Sequence, residues 1–97
     1  MPTLFVLSHA PHSDPFDART LDLAREGDGV LLIEDAVYAA AAQPTALAPH
    51  IAAAKSIGVR FYALEPDVMA RGVASEVPTV DYGGFVDLVF AYDRAVH

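Results

Sequence analysis

The sequence predicts an α/β fold, a parallel sheet flanked by helices, and three observations predict it. Strand-like and helix-like segments alternate along the 97 residues. Val30, Leu31, Leu32 and Ile33 are four consecutive apolar residues. They lack the alternation of a strand with one wet face, which suits a central parallel strand covered on both sides. Gly27 and Gly58 each stand just before a strand-like run, where glycine supplies the left-handed stop that ends a helix.

Taken in order, residues 3–7 are a short strand-favouring run, and residues 8–14 collect turn formers and two histidines. Asp14 is placed to cap a helix with Pro15 in its first turn and Asp17 near its positive end. Phe16, Thr20, Leu23 and Ala24 are expected to share a face. After Gly27 comes the strand at residues 29–33, with Glu34 and Asp35 at its carboxyl end. Residues 36–42 have the composition of a helix that Pro44 stops. A further helix is expected over residues 49–57, a strand over 59–64, and a short helix opened by Glu65-Pro66-Asp67 and closed by Gly72. Residues 77–80 form a minor strand interrupted by Pro78. Asp81 then caps a last helix carrying Phe85, Val86, Val89 and Phe90, and residues 92–97 show no pattern. The order β-α-β-α-β-α-β-α calls for right-handed crossovers. Residues 1–97 read as a single domain. The alanine-rich stretch 39–54, broken by Pro44 and Pro49, indicates close helix packing.

Composition narrows the function. Hydrophobic residues make up 54% of the chain and charged residues 20%, more apolar surface than one small core hides, so a subunit interface is expected. The net charge is −7, and Arg19, Arg25, Lys55, Arg60, Arg71 and Arg94 are scattered, which argues against a direct grip on nucleic-acid phosphate. The absence of cysteine excludes disulfides, thiolate metal sites and a cysteine nucleophile in this polypeptide. There is no basic leader before a long apolar stretch, and no apolar run nears the roughly 20 residues of a membrane span. A soluble cytoplasmic protein is expected.

Glu34 and Asp35 follow a buried strand at the sheet edge where ligands usually bind, which makes them the leading site candidates by position. The plainer reading has Asp35 capping the next helix while Glu34 faces solvent or a neighbouring chain. His9 and His12 share a loop with Ser13 and Asp14, but a metal needs a third convergent ligand and none is evident. Ser13 lacks the glycine-framed elbow of a nucleophile. No glycine-rich phosphate loop follows a strand, so no nucleotide cofactor is expected, and Gly83-Gly84 reads as a tight approach at a helix start. Tyr38, Tyr62, Tyr82 and Tyr92 suit either a protein interface or the edge of the core.

Several segments together resemble one family. Glu26-Gly27-Asp28 precedes Val30-Leu31-Leu32-Ile33-Glu34-Asp35-Ala36-Val37-Tyr38-Ala39. Val59-Arg60-Phe61-Tyr62-Ala63-Leu64 follows with Asp67 and Ala70-Arg71-Gly72, and then come Val80-Asp81-Tyr82 and Phe85-Val86. In order and spacing these pieces resemble the TusB/DsrH family over essentially the whole chain. The resemblance implies a DsrEFH-like fold, a three-layer α/β/α Rossmann-like domain with a mainly parallel sheet of four to five strands. It also implies a non-catalytic subunit in a hexamer of paired trimers with TusC-like and TusD-like chains. There the TusD-like chain carries the persulfide cysteine, and sulfur travels on to the wobble uridine of certain tRNAs. Members from sulfur-oxidising organisms can carry a cysteine in the first helix. Residues 16–26 have none, which favours the tRNA branch over a DsrH-like role in dissimilatory sulfur oxidation. The loop has Asp14 where many relatives have serine, and the chain finishes at His97 where relatives often end on an aromatic residue. A stand-alone homo-oligomer binding a small ligand is the alternative from composition. The candidates for a partner interface or cleft are His9, Glu34, Asp35, Tyr38, Asp81 and Tyr82. No residue is assigned as catalytic, cofactor-binding or metal-ligating.

Overall fold

All four residues of β2 (Gly29–Leu32) are buried, as a strand with helices on both faces requires. β1 (Thr3–Leu7) and β3 (Arg60–Leu64) flank it in parallel, so that Leu31 lies beside Val6 and Tyr62. β4 (Thr79–Val80) and β5 (Arg94–Val96) form the edges of a wholly parallel sheet in the order β4-β3-β2-β1-β5. The computed structural model describes residues 2–11, 15–41 and 45–97, with Pro15 and Phe16 described by backbone alone. Parallel neighbours need long connections, and here each connection carries a helix. These are α1 (Pro15–Leu23), a 3-10 helix (Glu34–Ala40) followed by α2 (Ala48–Ser56), α3 (Glu65–Ala70) and α4 (Tyr82–Ala91).

The period-two alternation of β2 divides the core. Val30 and Leu32 pack with Leu21 of α1, Val37 of the 3-10 helix, Ile51 of α2 and Val68 of α3. Leu31 joins Leu4 and Val6 on the opposite face, beneath Phe85, Leu88 and Val89 of α4 and beside Tyr62 and Tyr92. The result is the expected three-layer α/β/α arrangement with five strands, but it is lopsided. Among the described residues, α4 is the one helix packed on the Leu4–Val6–Leu31 face, and none of its own residues is fully buried.

Four sequence expectations change. In α1 Asp17 and Leu21 are buried, as is Ala24 just after the helix, while Leu23 is 73% exposed. The helix is turned so that Asp17, one turn before Leu21, also points inward, and counting apolar residues alone cannot anticipate an inward carboxylate. The segment expected as a helix at 36–42 is a 3-10 helix ending at Ala40. Its three-residue repeat stacks buried Val37 on buried Ala40, which suits small side chains against the sheet. Asp35 does not cap this helix: Ile33 occupies the cap position, and no side chain bonds there. The tail forms β5, in register with β1 through Thr3↔Arg94, Leu4↔Ala95 and Phe5↔Val96. The expected Asp14 cap and Pro44 stop lie outside the described residues.

The Glu26-Gly27-Asp28 turn has a clear physical role. Gly27 adopts φ 90, and its N–H donates to the carbonyl of Gly58, itself at φ 95, at 3.4 Å. Asp28 is 7% exposed. One carboxylate oxygen accepts from the Thr3 N–H and the other from the Arg25 N–H, each at 2.9 Å. A single side chain thereby ties the start of β1 to the chain leaving α1. Gly29 is needed for a different reason: a Cβ there would fall on the Tyr92 hydroxyl and 2.6 Å from the ring carbon that bears it.

Candidate functional site

A wholly parallel sheet gathers every strand end onto one edge. Beyond these ends, in sheet order, stand Asp81 and Tyr82 after β4, Glu65 and Asp67 after β3, Glu34 and Asp35 after β2, His9 after β1 and His97 after β5. Ligands of open α/β sheets settle at this edge. His9, Glu34, Asp35, Asp81 and Tyr82 lie along it, and Tyr38 stands one turn further into the 3-10 helix.

The loop after β2 is held in an unusual backbone state. Glu34 has φ 50, the left-handed region that a residue with a Cβ adopts at a cost of about 1–3 kcal/mol. Its N–H donates to Asp67 Oδ2 at 2.7 Å, which secures the conformation from α3. Arg71 completes the brace: its Nε donates to Asp35 Oδ1 at 3.0 Å, and its guanidinium lies 3.6 Å from Asp67 Oδ1 one turn earlier. The hydrogen bond that Arg71 donates to Asp35 is the main cause that raises the Arg71 pKa above its ordinary value. Asp35 is therefore an ion-pair partner, and the Glu34 side chain projects exposed beside it.

The other candidates divide. Asp81 does cap α4, its Oδ1 accepting from the Gly84 N–H at 2.7 Å. Tyr38 and Tyr82 are 44% and 63% exposed, rings presented outward on the 3-10 helix and the first turn of α4. His9 lines a cavity of about 420 Å³ between β1, β5 and α1, together with Ser8, Asp17, Thr20, Val96 and His97. That cavity brings together residues far apart in sequence. Asp67, Arg71, Asp17 and His97 were not singled out as site residues. The four-residue spacing of Asp67 and Arg71 within a helix was the available signal for a salt bridge, whereas nothing local announces that His97 returns beside His9.

Chemically the edge is acidic and braced by one arginine. Among the described residues no group of three or more His, Asp or Glu side chains is placed to hold a metal ion. His12, Ser13 and Asp14 lie outside the described residues. With no cysteine, the chain itself supplies no thiolate. Also among the described residues, no helix is long and apolar enough to cross a membrane.

Comparison with known proteins agrees with this architecture. The family model described as DsrH like protein matches residues 10–95. Protein TusB of Photorhabdus laumondii is 34% identical over 95 residues, covering 94% of this chain and 95% of its own. Protein TusB of Cronobacter sakazakii is 36% identical over 89 residues, covering 88% of each chain. The solution NMR structure of protein Tm0979 from Thermotoga maritima superimposes with a TM-score of 0.67 over 92% of both chains, at 23% identity. That last likeness concerns the fold alone. The family match and the near-full-length relatives give the assignment: this chain belongs to the DsrH family.

Proposed function

We propose that this protein is a non-catalytic subunit of a cytoplasmic sulfur-relay complex that serves 2-thiolation of the tRNA wobble uridine. Its partners are TusC-like and TusD-like chains, assembled as a hexamer of paired trimers, and residues 1–97 act as one domain. The observation that carries this reading is near-full-length similarity to proteins named TusB in a chain without cysteine. Persulfide transfer runs through a thiolate of lowered pKa, so the reactive sulfur resides on a partner. This subunit supplies contact surface and shapes the cleft where sulfur is exchanged, with His9, Glu34, Asp35, Tyr38, Asp81 and Tyr82 bordering it. The scattered bases leave the tRNA to other components.

The test is reconstitution. The purified chain is mixed with the TusC-like and TusD-like proteins of the same genome, and mass is measured by light scattering after gel filtration. The expected result is a stable complex containing all three. A chain that stays monomeric in the presence of both refutes the proposal. Loss of 2-thiouridine from tRNA nucleosides after deletion of the gene separates the tRNA branch from sulfur oxidation, since intact thiolation counts against the first.

A further inference from the structure

α4 is apolar on two sides. Phe85, Leu88 and Val89 point down onto the sheet. Tyr82, Val86 and Phe90 follow one another at four-residue spacing on an outward ridge, 63%, 53% and 84% exposed. A helix whose apolar residues extend beyond its core-facing stripe has a further face to cover. Beside the ridge, between α4 and β5, runs a shallow, mainly apolar groove of about 280 Å³ lined by Val6, Ile33, Phe85, Val89, Ala95 and Val96, with His97 at its end. Ridge and groove lie on the same side of the sheet, where α4 is the one covering helix among the described residues.

The charges around this surface distinguish its occupants. Between residues 81 and 93 the charged residues are Asp81, Asp87 and Asp93, with no base among them. Asp87 is exposed, at the middle of α4, immediately beside the ridge. In a two-fold dimer packed through α4, residues close to the axis lie near their own copies, and an axis through the middle of the helix passes at Asp87. The two Asp87 carboxylates would then meet at the centre of an apolar, water-poor contact between chains that each carry a net charge of −7. Like charges in such a place oppose association. A different chain escapes that conflict if it presents a base at the same point.

We infer that the outward ridge of α4 is the docking surface for another subunit of the complex proposed above. That subunit presents an apolar face with a recess for the Phe90 ring and a lysine or arginine opposite Asp87. An exposed aromatic ring entering a partner's recess is the usual form of an interface anchor, and removing such an anchor weakens binding by about ten-fold or more. The inference rests on the sulfur-relay reading for the identity of the partners.

The experiment uses the reconstituted mixture with TusC-like and TusD-like chains and compares wild type with Phe90→Ala and Asp87→Arg. Both side chains are exposed, and circular dichroism of each variant checks that the fold is retained. The expected result is a complex with wild type and a dissociation constant raised at least about ten-fold by each substitution. A complex that forms equally well with both variants overturns the inference while leaving the sulfur-relay reading intact. Loss with Phe90→Ala but undiminished binding with Asp87→Arg overturns the charge assignment. If wild type ignores both partners, the reading and the inference fall together. A homodimer of the isolated chain that Phe90→Ala dissolves identifies a second copy as the occupant and overturns the inference as well.

Discussion

Replacing Asp28 tests the structural logic of the Glu26-Gly27-Asp28 turn directly. The carboxylate is 7% exposed and accepts two backbone hydrogen bonds, one from Thr3 across 25 residues of sequence and one from Arg25, both at 2.9 Å. Hydrogen bonds to a charged group are worth about 1.5–3 kcal/mol each, and losing the acceptor also strands the donors. Thr3 and Arg25 are at the surface end of the turn, so water recovers part of the loss. The expected cost of Asp28→Ala is about 2–4 kcal/mol, a large part of the roughly 5–15 kcal/mol available to a domain of this size. Asp28→Asn retains one acceptor oxygen and turns its amide N–H groups toward a donor, so its cost should be about half. Urea unfolding followed by circular dichroism, with the slope compared between variants, measures both. If Asp28→Ala changes stability by less than about 0.5 kcal/mol, the staple is not what holds β1 to α1. If Asn costs as much as Ala, the two bonds do not contribute separately.

Three further outcomes follow from other positions. Gly29→Ala places a methyl on the Tyr92 hydroxyl, so the ring must leave its place over β2, at an expected cost of about 1–3 kcal/mol in urea. A changed Tyr92 environment by NMR should accompany the loss, and an unperturbed ring contradicts the packing described. Burial, followed by the neighbouring Tyr62, pushes the Tyr92 phenol up to about 12. An unfolded tyrosine titrates near 10, so the native state holds the proton longer. Stability from this group is complete below pH 10 and is lost as pH climbs toward about 12. Tyr92→Phe should flatten that part of the stability–pH curve, and an identical slope in both proteins argues against the shift. Glu34→Gly relieves the φ 50 backbone and should raise stability by about 1 kcal/mol by urea unfolding, whereas Glu34→Ala should not. A loss with glycine would mean that the Glu34 side chain outweighs the backbone strain.

How far the fold was legible varies with how local its causes are. β2 could be read because an unbroken apolar run answers a local demand, burial on both faces, met by Val30, Leu31 and Leu32, while the fourth apolar residue, Ile33, lies just past the strand and is half-buried. The stops at Gly27, Gly58 and Gly72 were equally local, and all three have positive φ. β5 could not be read. It is three exposed residues long and exists through its hydrogen bonds to β1, a long-range partner that no sequence window contains. The candidate edge shows the same split. Position after a buried strand located Glu34 and Asp35, but their roles depend on Asp67 and Arg71, more than 30 residues away. The helix-cap expectation for Asp35 failed because the helix starts at Glu34, which puts Ile33 at the cap and Asp35 inside the first turn, where Arg71 at the end of α3 reaches it.

The same reasoning locates what the apolar composition meant. A surplus of hydrophobic residues in a small chain says that some face is unfinished, but not which one. In α4, Phe85 and Val86 are neighbours of similar hydrophobicity, and so are Val89 and Phe90. The sheet takes Phe85 and Val89 and leaves Val86 and Phe90 outside. Asp81 starts the helix, its Oδ1 accepting from the Gly84 N–H, and the packing of Phe85, Leu88 and Val89 against Leu4, Val6 and Leu31 fixes which side of it meets the sheet. The other apolar ridge is left without a core to join.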